Sequence, residues 1–290
     1  MKLPTTEPYR IGWFSTGRDE AAIQLLESVY ERRGKLGIEI AYVFTNRSLG
    51  EDPQSDKFIH RAYQCGGSWL GFSSSNFEPD LRRFDRARWR EEYHAEVMRR
   101  LADIRAKANP QIDILAGYML YTSSQMAKQY KLLNLHPALP WGPAGAWEEV
   151  IWELMKTYPE ETGVMMHRAT KEWDRGPPVT YCRVPLKTED FLPLWEEFGQ
   201  DLRHYSAFEQ LERLYPATNY PHDAHPLFRK IREEGFRREI PLILYTIDQF
   251  AKGTVRFEGE TVVDKDGGIL DHGLDVTALV EKELRTRTKA

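Results

Sequence analysis

The order of elements at the start of the chain constrains the fold more than any other feature. Residues 9–14 form a short, mostly apolar run of β-forming side chains, and residues 15–19 supply a turn that contains Gly17. Apolar side chains then recur at helical spacing before a second β-forming run at residues 38–44. Because a strand–helix–strand unit joins parallel neighbours, we predict an α/β fold: a Rossmann-like, open, mostly parallel sheet with helices on both faces.

The same alternation continues to Pro185, and then the pattern changes. We predict a strand around Asn134, and the other elements are as follows: β segments at residues 68–72, 113–118, 162–170 and 178–184, and helices at residues 57–65, 81–107 and 144–156. Later residues indicate helices at 191–211 and 225–252 and an alternating hairpin at 254–263. The sequence therefore predicts a domain at residues 1–185 that carries the site. Residues 186–290 are expected to be a helical and β-hairpin C-terminal extension packed on it.

The composition excludes several classes of partner. The chain has 40 Lys and Arg against 44 Asp and Glu, a net charge of −4, so it lacks the basic excess typical of nucleic-acid binding. Its longest apolar run, residues 114–121, is too short to span a bilayer. The two cysteines, Cys65 and Cys182, are too few for a disulfide framework. We therefore expect a cytoplasmic protein without nucleic-acid or membrane partners; a homodimer is compatible with the sequence.

Polar side chains at the ends of two predicted β segments mark the candidate site. Asn134 and His136 alternate with Leu135 in one short strand, so both side chains lie on the same face. Asp174 follows the next β segment in a turn before Gly176. An amide, an imidazole and a carboxylate suit proton transfer and oxyanion stabilisation. The alternatives are an ordinary buried histidine and a turn carboxylate.

Three motifs resemble the folate-dependent formyltransferases, and most closely their glycinamide ribonucleotide branch. These motifs are Leu132-Leu133-Asn134-Leu135-His136-Pro137, Ala116-Gly117-Tyr118-Met119, and His167-x-x-Thr170-x-Glu172-x-Asp174-x-Gly176-Pro177. The resemblance covers residues 9–185 and returns weakly at residues 240–266. It implies formyl transfer from 10-formyltetrahydrofolate to a small-molecule amine, with no metal.

Roles for individual residues are carried over from this resemblance. Asn134, His136 and Asp174 would be catalytic: the amide and a protonated His136 would stabilise the oxyanion, and Asp174 would hold the imidazolium and relay the proton. The pterin pocket would be formed by Tyr118, Met119, Leu120, Tyr121, Thr122, Ala169, Thr170, Glu172 and Trp173. The acceptor would be bound by Gly17, Arg18, Asp19, Arg90 and His167.

Departures from the family pattern lie on the acceptor side. Arg18 and Asp19 follow the loop glycine, and Phe236 occupies the position of an acceptor-binding glutamate. Because Asp19 adds a negative charge where a phosphate would sit, we expect an acidic amine other than glycinamide ribonucleotide, with Arg90 contacting its acidic group. A formyltetrahydrofolate hydrolase, a sugar-nucleotide N-formyltransferase and a catalytically silent ligand-binding protein stay open as alternatives.

Overall fold

A computed structural model describes residues 7–65, 67–205 and 225–287. The strands are β1 Tyr9–Ser15, β2 Ile38–Thr45, β3 Ser68–Gly71, β4 Ile112–Leu115, β5 Leu132–His136, β6 Glu161–Arg168, β7 Pro178–Pro185, β8 Val255–Glu258, β9 Thr261–Asp264 and β10 Leu274–Asp275. The helices are α1 Glu20–Leu36, α2 Pro53–Gln64, α3 Pro79–Phe84, α4 Arg86–Ala108, α5 Ser124–Gln129, α6 Trp147–Thr157, α7 Leu192–Tyr205, α8 Pro226–Ala251 and α9 Thr277–Arg287.

The strands of the main sheet follow the order β10-β7-β6-β5-β4-β1-β2-β3. The pairs from β5 through β4 and β1 to β3 are parallel, β6 is antiparallel to both of its neighbours, and β10 is parallel to β7. The predicted mostly parallel, Rossmann-like sheet is thus confirmed. From β1 the chain continues to β2 and β3 on one side of β1, and it then returns to β4 on the opposite side of β1. The strand order therefore reverses between β1 and β4. In open α/β sheets, ligands bind in the crevice beyond the strand ends at such a reversal.

Both faces of the sheet are covered, because successive side chains of each central strand point to opposite faces. In β1, Trp13 belongs to the core packed under α1 and α8, whereas Phe14 belongs to the core under α4 and α5. Both side chains are fully buried. Strands with apolar side chains on both faces are typical of a parallel sheet between two helical layers.

The C-terminal region adds to this core. Helix α8 packs on β6, β7 and α1, and β8 and β9 form the expected hairpin. The short strand β10 pairs with β7 and was not predicted, since two residues show no alternation. Core residues on both sides of Pro185 form one cluster, and the division at that residue stays a prediction. In the part of the chain that is described, no helix has both the length and the apolar character needed to cross a membrane.

One predicted helix is wrong, because the structure divides it into two helices. Residues 81–107 were expected to form a single helix, but α3 ends at Phe84 and α4 begins at Arg86. Asp85 separates them with φ −143° and ψ 80°, and its carboxylate accepts a hydrogen bond from the backbone N–H of Arg88. A side-chain cap of this kind starts a new helix, which helical periodicity alone does not show. The end of the helix predicted at residues 191–211 lies outside the described residues.

Candidate functional site

Strands β5 and β6 bring the candidate residues together. Asn134 is paired with His167 in the antiparallel register of these two strands, so both side chains lie at the same sheet position. Asp174 comes from the turn that follows β6, where it adopts a left-handed conformation with φ 51°. A Cβ atom at Gly176 would lie 1.7 Å from the backbone oxygen of Arg168, so only glycine lets this turn close against β6.

Asp174 is the centre of a buried hydrogen-bond network. Its Oδ1 accepts a hydrogen bond from Asn134 Nδ2 at 3.1 Å, and its Oδ2 accepts one from the backbone N–H of Gly145 at 3.2 Å. The His136 Nδ1 lies 3.4 Å from Oδ2, and the His167 Nε2 lies 3.4 Å from Oδ1. The expected convergence of Asn134, His136 and Asp174 is therefore observed.

The protonation of this network follows from its partners. Burial raises the pKa of Asp174, but the two neighbouring imidazoles, those of His167 and His136, and the Gly145 N–H outweigh this effect, so the pKa lies below its usual value. Burial lowers the pKa of His136, and the Asp174 carboxylate and the Pro143 carbonyl offset only part of that shift. Asp174 is therefore an anion near neutral pH, and His136 is mainly neutral and can take up a proton.

The hydrogen-bond partners of the two histidines differ. His136 Nε2 donates to the Pro143 carbonyl at 2.9 Å, so a proton bound at Nδ1 would face the carboxylate of Asp174. His167 Nδ1 donates to the Arg168 carbonyl at 3.1 Å, and its Nε2 accepts from Asn134 Nδ2 at 2.9 Å. His167 was assigned to the acceptor, but the structure places it behind Asn134 and beside the carboxylate.

Two cavities meet at this network. The first, called here the charged cleft, has a volume of about 100 Å³ and is lined by Arg18, Asp19, Ala21, Ala22, Leu25, Gly117, Tyr118, Met119, Asn134, Leu135, His136, Pro137, Gly145, Ala146, Trp147, Trp173, Asp174, Arg232 and Glu239. The second, called the closed cavity, has a volume of about 20 Å³ and is lined by Leu115, Tyr118, Leu120, Thr122, Asn134, His167, Ala169, Thr170, Glu172, Trp173 and Asp174. Asn134 and Asp174 line both, so a group held in either cavity can reach them.

Most residues assigned to the pterin pocket surround the closed cavity. Of that set, Met119 lines the charged cleft instead, and Tyr121 packs edge-to-face against the Trp173 ring. The hydroxyl of Thr122 lies 3.5 Å from the Thr170 backbone oxygen and connects the two walls. A cavity of about 20 Å³ holds little more than one water molecule. Trp173 lines both cavities, as do Tyr118, Asn134 and Asp174.

The residues assigned to the acceptor lie in two places. Gly17 has φ 63°, and a Cβ atom there would lie 2.8 Å from the Phe58 side chain, so the turn before α1 requires glycine. Arg18 and Asp19 line the charged cleft. Arg90 lies outside the cleft lining, with its guanidinium 4.7 Å from the centre of the Tyr121 ring. The structure therefore brings Arg18 and Asp19 to the cleft and leaves Arg90 on the other side of Tyr121.

Sequence reasoning missed four residues that surround the charged cleft: Trp147, Glu148, Arg232 and Glu239. Arg18 pairs with Glu148 at 2.5 Å, and Arg232 pairs with Glu239 at 2.5 Å. Trp147, the first residue of α6, lies in the cleft wall. The oppositely charged pair on α8 is separated by seven residues, which places both on one helix face. That spacing was the only available signal.

Comparisons with known proteins agree with this fold. A sequence model of the formyl transferase family matches residues 59–205, half of the chain, and the chain belongs to this family. The resemblance seen in the motifs is thus confirmed. A relative, phosphoribosylglycinamide formyltransferase of Dictyostelium discoideum, is 27% identical over 120 residues, which are 38% of this chain and 58% of that protein.

Solved structures show the same fold at low identity. Phosphoribosylglycinamide formyltransferase from Coxiella burnetii superposes with a TM-score of 0.60 at 18% identity, covering 93% of this chain and 99% of that one. A formyltetrahydrofolate deformylase from Pseudomonas syringae pv. tomato superposes with a TM-score of 0.56 at 16% identity, covering 90% of this chain and 67% of that one. Both similarities concern the fold.

Proposed function

We propose that this protein transfers a formyl group from 10-formyltetrahydrofolate to a small amine. The observation that carries the proposal is the buried network of Asn134, His136 and Asp174, in which Asn134 lies 3.1 Å and His136 3.4 Å from the Asp174 carboxylate, and in which Asn134 and Asp174 line both cavities. A formyl donor in one cavity and an amine in the other would meet at this network. Membership in the formyl transferase family supports the reaction class.

The donor side fits a reduced pterin only after a local change. The walls of the closed cavity offer backbone groups on two facing segments, around Tyr118 and around Thr170. A pterin ring is far larger than the roughly one water molecule that fits there. We therefore expect Trp173 to rotate away from Tyr121 when the donor binds, which would enlarge the closed cavity.

His136 and Asp174 handle the proton in this mechanism. The acceptor nitrogen attacks the formyl carbon, a new carbon–nitrogen bond forms, and the amine proton passes to the His136–Asp174 pair. The pair then delivers that proton to N10 of the folate as the carbon–N10 bond breaks, which leaves tetrahydrofolate and the formylated amine. Neutral His136 suits this role better than the protonated form expected from the sequence, because burial lowers its pKa.

Asn134 is the residue placed to stabilise the oxyanion. Both N–H groups of its amide are engaged, one with His167 Nε2 and one with Asp174 Oδ1. We propose that it exchanges the bond to His167 for one to the formyl oxygen when the donor binds. Loss of a comparable oxyanion donor costs roughly 10²–10³ in rate.

The test is formation of tetrahydrofolate from 10-formyltetrahydrofolate, with and without a panel of amines, and with mass analysis of the products. A transferase forms the formylated amine, whereas a hydrolase releases formate at the same rate without any amine. His60, an exposed histidine on α2, provides the control: His60→Ala should keep the wild-type rate while His136→Ala loses it. Absence of both products with wild-type protein that binds a reduced folate would show a catalytically silent binding protein.

A further inference from the structure

The charged cleft contains three positions suited to binding an anion, and the protein fills each with its own carboxylate. The first is the N-terminus of α1, which a phosphate could occupy in principle because backbone N–H groups and the helix dipole point there. Asp19 already caps this helix, and its Oδ1 accepts a hydrogen bond from the Ala22 N–H at 3.0 Å. A phosphate at this end would have to displace Asp19.

The two guanidinium groups of the cleft are the other positions. Arg18 is bound by Glu148 and Arg232 by Glu239, each at 2.5 Å. Both guanidinium groups also lie over the Trp147 ring, at 5.7 Å and 5.1 Å from its centre. Pairing to a carboxylate and contact with an aromatic face both hold a guanidinium in place, so an anionic ligand that reached either arginine would also meet the carboxylate already bound to it.

The net charge of the cleft lining also disfavours an anionic ligand. Asp19, Asp174 and Glu239 contribute three carboxylates, whereas Arg18 and Arg232 contribute two cations. With these groups ionised at neutral pH and His136 neutral, the lining carries a net charge of −1. Such a cleft attracts an ammonium ion and repels a dianion such as a phosphate monoester.

Unused hydrogen-bonding atoms indicate what the ligand offers instead. Three atoms of this region, Trp147 Nε1, Arg18 Nε and Glu148 Oε2, are buried and have no hydrogen-bond partner among the described residues. The two N–H groups need an acceptor and the carboxylate oxygen needs a donor, and an unsatisfied buried group of this kind is costly. A hydroxyl group can serve both, because it donates and accepts.

We infer that the acceptor is an unphosphorylated, hydroxyl-bearing amine whose net charge is zero or positive. This inference rests on the proposed formyl transfer. It replaces the acidic amine expected from the sequence, since Arg90 does not reach the cleft. Of the residues that carry it, those at positions 18, 19, 232 and 239 lie outside the segment 59–205 that matches the family, whereas Trp147 and Glu148 lie within it.

The first test compares two acceptors that differ only in a phosphate, glucosamine and glucosamine 6-phosphate. Wild-type protein should show a kcat/KM about 10- to 100-fold higher for the unphosphorylated amine, the range expected for one unfavourable charge contact. Preference for the phosphate ester would overturn the inference. The ratio, rather than either rate, is the readout, so a poor acceptor skeleton does not affect it.

A variant that frees Arg18 tests whether its ion pair causes the preference for the unphosphorylated amine. Glu148→Gln releases Arg18 from its ion pair, and should raise the relative kcat/KM for the phosphate ester by about tenfold. Glu239→Gln, which releases Arg232, is the second variant if the first does not fold. Glu153→Gln makes the same charge change at an exposed position of α6 and should leave the ratio at its wild-type value.

Calorimetric titration with glucosamine 6-phosphate separates this inference from the proposed function, because it needs no formyl donor. If neither amine is formylated, the proposed function fails for these acceptors while the binding result still decides the inference. Binding by Glu148→Gln and not by wild type supports the inference. Binding by wild type, or by neither protein, overturns it.

Discussion

Lowering the pH from 7 to 5 should destabilise this protein through the buried imidazole of His94. The side chain is fully buried in α4, and burial lowers its pKa from 6.5 to about 4. Its Nδ1 donates to the Arg90 carbonyl at 2.9 Å, so its Nε2 accepts from the Tyr118 hydroxyl at 3.1 Å. The folded protein therefore holds neutral His94, whereas the unfolded chain binds a proton with an ordinary pKa.

The magnitude follows from the two pKa values. A difference of 2.5 units, from 6.5 to about 4, corresponds to roughly 3 kcal/mol of folding free energy. Because the pKa in the folded state is the lower one, this stability is present above pH 6.5 and is lost as the pH falls towards 4. Between pH 7 and pH 5 the loss amounts to roughly 2 kcal/mol.

Urea unfolding of wild type and His94→Gln at several pH values isolates this contribution. Other groups titrate in both proteins, so the difference between the two curves reports His94: wild type should lose roughly 2 kcal/mol more than the variant between pH 7 and pH 5. Tyr118→Phe is the matched control, because it removes the hydroxyl partner but keeps the buried imidazole, and it should retain the wild-type pH dependence.

Parallel curves for wild type and His94→Gln would refute this reasoning, since they would mean that His94 accepts a proton in the folded state as easily as in the unfolded chain. A pH dependence that disappears in Tyr118→Phe would assign the effect to the hydrogen bond rather than to burial. Tyr118 lines both cavities, so the result also bears on the stability of the site.

Three further predictions concern catalysis and donor binding. His136→Ala should lower kcat by about 10²–10⁴ and change the Kd of a reduced folate little, and an equal loss of affinity would make His136 a binding residue. The acid limb of the kcat/KM profile should lie below pH 6.5, because burial lowers the pKa of His136 and its neutral form accepts the proton; activity that rises on acidification would show that the protonated form is needed. Trp173→Ala should speed association of a reduced folate about tenfold in stopped-flow measurements, since the ring no longer has to move, and a slower association would contradict the expected movement of the ring.

Local pattern was enough to predict much of the fold and the centre of the site. The alternation of apolar runs and helical periodicity predicted β1, α1 and β2, because each pattern reports which side chains of one element are buried. The same reasoning placed Asn134 and His136 on one face of one strand. It also placed Asp174 in the turn after the next β segment, the resemblance of the motif gave this carboxylate a catalytic role, and the structure brings it to 3.4 Å from His136.

Sequence patterns did not reveal how distant elements combine. The charged cleft joins Arg18 and Asp19, at the start of α1, with Arg232 and Glu239 on α8, about two hundred residues later in the chain. These residues meet because α1 and α8 pack against each other over the same core of the sheet. Periodicity shows that a helix has a buried face, but it does not show which helix covers that face.

Tertiary structure also decided the state of the site itself. The sequence determined that an amide, an imidazole and a carboxylate were available at strand ends, since their types and local spacing are properties of the chain. Only the folded arrangement showed that both N–H groups of Asn134 are engaged and that the cavity beside it, lined in part by Trp173, has a volume of only about 20 Å³. Hydrogen-bond partners and cavity volume depend on atoms from several elements at once, so no single stretch of sequence encodes them.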